Sequence, residues 1–167
     1  MTKFSFLYLF IILPLAVLGQ ESKSLFVQVD YNNSPLTLGK TYVSQKGDSF
    51  RINKFKCYLS DLKLHFTDGR SETIGKKYTL FDADSLAAAA YKMADFKNYS
   101  PGYLELSIGI DSIPNTQGAL SNELDVQNGM YWAWQSGFIN WKIEGTSSSC
   151  ATHKQHYTFH VGGYKAK

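Results

Sequence analysis

Apolar and polar residues alternate with a period of two along most of this chain, and the alternation restarts every few residues at turn-forming side chains. Leu25, Val27 and Val29 alternate with Phe26, Gln28 and Asp30, which predicts a strand over residues 24–31, closed by Asn32, Asn33, Ser34 and Pro35. A short strand at 41–44 precedes a Gly47-Asp48 turn. Over residues 50–66 the apolar set Phe50, Ile52, Phe55, Cys57, Leu59, Leu62, Leu64 and Phe66 breaks phase twice. Those breaks predict two strand pieces joined by a bulge or bend rather than one long strand. Asp68-Gly69 reads as a hairpin turn into a strand at 71–74, and further strands are expected at 78–81, 103–110 and 156–161. The exception is the alanine-rich stretch DADSLAAAAYKMADF, residues 82–96, which predicts a short helix capped by Asp84 or Ser85. Many short strands with one brief helix, and neither repeat nor linker, predict an all-β single domain, a β-sandwich or Greek-key-like fold.

All three tryptophans lie within ten positions. In an extended strand Met130, Trp132 and Trp134 share one side. After Gly137 the apolar set Ile139, Trp141 and Ile143 has the opposite parity, so the strand is expected to turn a corner at Ser136-Gly137, where glycine permits a bulge. The indoles are then either sandwich core or, because indole is readily oxidised, a site of redox chemistry.

Composition narrows the function classes. Aromatics at 15% with only 19% charged residues indicate a filled core. A formal charge of +3 with dispersed lysines gives no sign of a nucleic-acid surface. There is no nucleophile elbow or catalytic carboxylate pair, and Asp82 and Asp84 suit turn and cap chemistry, so no enzyme activity is expected. Residues 1–19, with Lys3 followed by an apolar run from Phe4 to Leu18, read as a secretory signal peptide cleaved before Gln20, with no cysteine there for lipid attachment. The mature chain, 20–167, would then be soluble in an oxidising compartment, where Cys57 and Cys150 are expected to form a disulfide.

Three of the four histidines lie near the end, at His153, His156 and His160. On one strand His156 and His160 stand about 13 Å apart, too far to share an ion, so at most one serves any given site. His65 reads as an outward-facing strand residue. Asp111 and Asp125 sit beside turn residues where a carboxylate accepts backbone N–H bonds, and Asn115, Asn128 and Gly129 follow the same turn logic.

The segment IGIDSIPNTQGALSNELDVQNGMYWAWQSGFINWKIEG, followed by FHVGGY, closely resembles the MbnP-like family of secreted bacterial proteins. FKCYLSDLKL, residues 55–64, resembles a strand of the same family. The resemblance implies a β-sandwich that binds copper in the periplasm or at the cell surface. The implied site joins histidine to a kynurenine made from a tryptophan by a di-haem peroxidase-like partner of the MbnH/MauG type. Trp132 and Trp134 match the tryptophans and His160 matches the histidine, while Met130 and Tyr31 are the further candidate ligands. Two family histidines are replaced here, by Tyr31 and Thr79. The competing expectation is a non-metal binding or structural module of the cell envelope, in which the W-x-W block is core.

Overall fold

The two phase breaks in residues 50–66 govern how the sheet is built. The computed structural model describes residues 22–85, 90–97, 101–118, 120–134 and 137–163; the expected signal peptide lies outside them. The strands are β1 (Ser22–Gln28), β2 (Asp30–Tyr31), β3 (Ser34–Pro35), β4 (Thr41–Val43), β5 (Ser49–Phe66), β6 (Ser71–Thr73), β7 (Tyr78–Asp82), β8 (Ala90–Lys97), β9 (Pro101–Ile108), β10 (Tyr131–Trp132), β11 (Gly137–Ser147) and β12 (His156–Gly162), with one α-helix, α1 (Ser112–Gln117).

Residues 50–66 lie within the single strand β5, and both breaks are bulges inside it. Against β11, Lys54 pairs with Glu144 and Ile52 with Gly145, leaving Asn53 as the extra residue. Against β9, Ser60 pairs with Ser107 and Lys63 with Glu105, and Asp61 takes a left-handed φ of 51°. Asp is among the few residues that tolerate this conformation. Each bulge resets the alternation, so Phe55, Cys57, Leu59, Leu62, Leu64 and Phe66 all join one core, together with Ile74, Phe81 and Ala83.

β5 organises an eight-stranded sheet in which β4, β6, β7, β9 and β11 pair with it and β10 and β12 pair with β11. β1 and β8 form a separate antiparallel pair, and Val27 and Val29 pack on the larger core. A second, smaller core joins Tyr58, Phe138 and Ile139 of the sheet to Ile110, Leu124 and Met130 of the connection between β9 and β10. The architecture is the expected all-β, sandwich-like one; the single α-helix among the described residues is α1. No helix among the described residues is long and apolar enough to cross a membrane.

Two local expectations are corrected. Within the alanine-rich stretch, Ala83–Ser85 is a 3-10 turn and Ala90–Lys97 is strand β8, paired with β1 from Gln28↔Ala90 to Ser22↔Lys97; residues 86–89 lie outside the described ones. Alanine propensity does not sustain so short a helix by itself, whereas β1 offers the backbone a full ladder of partners. The α-helix stands instead at Ser112–Gln117, after Asp111.

The cysteines are also not joined: both are free thiols. Cys57 pairs with Trp141 in mid-sheet, whereas Cys150 follows the end of β11, past Ser147. Six residues of strand separate Trp141 from Ser147, roughly 20 Å, and a disulfide requires Cα atoms about 6 Å apart. Burial pushes the Cys57 thiol up to about 12, which keeps it protonated and inert. A maleimide reagent is therefore expected to label Cys150 in the native protein and Cys57 only after unfolding. Labelling of neither in denaturant without reductant would show a disulfide.

Candidate functional site

The aromatic block forms a hairpin rather than a corner. Tyr131 pairs with Phe138 and Trp132 with Gly137, so the chain reverses between β10 and β11; Ser136, where the bend was expected, lies outside the described residues. The reversal also accounts for the change of parity, since β10 and β11 are different strands. Trp134 is consequently in a turn and not on a strand, and it is 78% exposed. Trp132 is half-buried against the smaller core, with its ring centroid 6.1 Å from that of Trp134. Trp141 belongs to the larger core, edge-on to Phe55 at 5.3 Å. The three indoles thus do not form one cluster.

Trp132 reaches β12. A Cβ added at Gly162 would stand 2.4 Å from its Cζ3 and 2.5 Å from the Phe138 carbonyl oxygen, so the indole lies directly on the bare glycine backbone. His160 is two residues earlier on β12 and therefore shares the face that Trp132 covers. The HVGG ending thus supplies an imidazole and, beside it, the one residue type without a Cβ to collide with the edge of the indole.

His160 has a fixed partner. Lys142 of β11 pairs with His160, and Glu144, two residues along the same face, meets the His160 Nε2 through its Oε1 at 2.8 Å. Glu144 also pairs with Lys142 at 3.4 Å and Lys54 at 3.5 Å. Burial works to raise the Glu144 pKa, but the hydrogen bond with His160 and the charges of Lys142 and Lys54 prevail and hold it below its ordinary 4.5. A depressed folded pKa stabilises the fold above the unfolded value, and the benefit disappears as pH falls through the folded one. Glu144→Gln is therefore expected to flatten the stability profile below pH 4.5 by about 1 kcal/mol or less, the scale of solvent-reached pairs. An unchanged acid limb in urea titrations would contradict this.

The motif residues around this corner hold it in place. Lys56 Nζ donates to the Asn128 carbonyl at 3.1 Å and Lys142 Nζ to the Gly129 carbonyl at 3.0 Å. Gly129 takes the left-handed φ of 68° that ends the preceding turn. Asp125 accepts the Gln127 N–H at 2.8 Å in the expected Asx manner. Asp111 instead accepts from Tyr78 Oη at 2.7 Å and pairs with Lys77 at 3.0 Å. Asn128 Nδ2 donates to the Asn122 and Glu123 carbonyls.

The other candidate ligands make their contacts elsewhere in the described structure. Met130 is fully buried in the smaller core. Tyr31 packs on Tyr42 and Phe50 and donates to the Val43 carbonyl; Phe50 is six residues along β5 from Lys56, roughly 20 Å away. Thr79 is buried in β7. His65 bonds Glu105 at 2.8 Å and stacks on Tyr103. Among the described residues no three His, Cys, Asp or Glu side chains converge as a metal cluster. Among the described residues, the donors joined at the corner are one imidazole and one carboxylate, and that carboxylate is shared with two lysines. This fits part of a copper site and needs a further donor.

Residues 20–167 match the sequence model of the MbnP family. The chain belongs to the MbnP family. Among solved structures it is similar to MbnP from Methylosinus trichosporium, with a TM-score of 0.55 and 14% identity over 84% of this chain and 62% of that one. This MbnP-family chain thus spans less than two-thirds of that structure, and at such identity the likeness is one of fold. No protein of curated function matches the chain.

Sequence patterns singled out Trp132, Trp134 and His160 but missed Glu144, Lys142 and Gly162 as their neighbours. The signal was present: Lys142 and Glu144 alternate on one strand face, and Gly162 stands at the same spacing from His160. Which strand lies beside which is a long-range pairing that alternation alone does not specify.

Proposed function

We propose that this chain is a secreted, non-catalytic copper-handling protein, and that its cargo site is the corner where Trp132 and Trp134 adjoin His160. The observation that carries the proposal is the seating of the Trp132 indole on Gly162, beside His160 on one face of β12, in a chain of the MbnP family. Secretion to the periplasm or cell surface is supported by the basic-then-apolar pattern of residues 1–19 and by a family match that starts at residue 20.

The missing donor is supplied by oxidation of one indole. A di-haem partner would open the five-membered ring with two equivalents of peroxide, which supply the two added oxygen atoms and leave as water; hydrolysis of the resulting N-formyl group then releases formate, the net loss of one carbonyl. The product, kynurenine, carries an aromatic amine and a ketone where the tryptophan had no ligand atom. Together with the His160 imidazole these are donors suited to copper. Glu144 orients the imidazole, as carboxylate partners of metal-binding histidines do. Trp134, solvent-reached, is the indole open to a partner protein, while Trp132 is the one nearer His160.

A second reading, a non-metal envelope module, is favoured by the lysines flanking Glu144, which oppose a further positive charge. Copper titration of protein from the native host, followed by electron paramagnetic resonance, separates the two. The proposal expects a nitrogen-coordinated copper signal that His160→Ala abolishes. A signal unaffected by His160→Ala, or no bound copper, favours the second reading.

A further inference from the structure

At the far end of the sheet face that carries Glu144 and His160 there is a second polar pocket. Thr41, Arg51 and Thr146 lie side by side across β4, β5 and β11, and with Ser148, Lys154 and Gln155 they line a cavity of about 300 Å³. Thr146 and Glu144 are two apart on β11, so the face is continuous. Arg51 Nε donates to Thr41 Oγ1 at 2.8 Å, which fixes the plane of the guanidinium and leaves its terminal N–H groups for another acceptor. Among the described residues neither Arg51 nor Lys154 has a carboxylate partner, and no Asp or Glu lines the cavity. Asp48, the nearest acid in sequence, lines the apolar cleft adjoining it.

The backbone at the rim is an independent observation. Lys154 and Gln155 both take left-handed conformations, with φ of 57° and 56°. Two such residues in succession, neither glycine nor asparagine, are strained, and strain of this kind concentrates at ligand-binding positions. Here it brings Lys154 to the same cavity as Arg51.

We propose that this pocket binds a small oxyanion, a carboxylate, sulfate or phosphate group of a polar ligand, held by the forked Arg51 guanidinium and the Lys154 ammonium with hydroxyl donors from Thr146 and Ser148. The site is separate from the copper-handling corner and does not depend on it.

The test is an amide-resolved NMR titration of the mature protein with inorganic phosphate, sulfate and acetate, against chloride at matched ionic strength. The expected result is saturable shifts at Thr146, Ser148 and Lys154 with at least one oxyanion and none with chloride. Whether acetate or the tetrahedral anions saturate identifies the ligand group. Arg51→Gln and Lys154→Gln should each weaken binding about tenfold, the worth of one charge-assisted bond. Lys154→Gln lies in an exposed turn and keeps the test valid if Arg51→Gln disturbs the sheet. Shifts that chloride reproduces, or parental affinity in both variants, would overturn the proposal.

Discussion

Replacing Asn115 with alanine is expected to cost about 3–4 kcal/mol of folding stability. Asn115 is 1% exposed and uses both ends of its amide. Its Nδ2 donates to the carbonyls of Ile110 at 2.9 Å and Asp111 at 3.1 Å, and its Oδ1 accepts the Phe138 N–H at 2.8 Å. Alanine would leave a buried N–H and a buried carbonyl without partners, each costing about 1–3 kcal/mol, and would open a small void. Asn115→Asp should fare no better, because a carboxylate would face two carbonyl oxygens with nothing to donate. Since Phe138 pairs with Tyr131, the loss also loosens the hairpin that carries Trp132. Urea unfolding measures the cost, and a loss below about 1 kcal/mol would show that the amide is not the tie between α1 and β11.

Gly162→Ala is expected to destabilise by about 2–3 kcal/mol and to expose Trp132. The added methyl would stand 2.4 Å from the indole and 2.5 Å from a backbone oxygen of the neighbouring strand. The carbonyl cannot move without breaking the ladder, so the ring must leave or the end of β12 must peel away. Val161→Ala, at a side chain 61% exposed, should be close to neutral and serves as the control. A red shift in tryptophan emission with Gly162→Ala and not with Val161→Ala would confirm the contact. An unshifted spectrum with parental stability would place Trp132 elsewhere.

The parity of apolar residues carried much of the fold. Both breaks in residues 50–66 proved to be real bulges, at Asn53 and Asp61, because an extra residue is the only way a strand can change parity and keep its core face. The break before Ile139 had a different origin, a chain reversal, and alternation gives the same signal for both. Alanines at 87–90 favoured helix locally, yet pairing of Ala90–Lys97 with β1 prevailed. The cysteines were misjudged for a related reason: oxidising surroundings permit a bridge, but only the register of β5 against β11 shows that Cys57 and Cys150 never meet. At the site, the sequence named the rings and the imidazole, while the carboxylate and the lysines that orient and charge the corner depended on which strands lie side by side.

The most direct test is intact-mass and peptide-mass analysis of the mature protein from its native host, with bound copper quantified alongside. The account predicts a gain of two oxygen atoms less one carbonyl on a peptide bearing Trp132 or Trp134, together with stoichiometric copper. Unmodified tryptophans in a copper-free protein would contradict it.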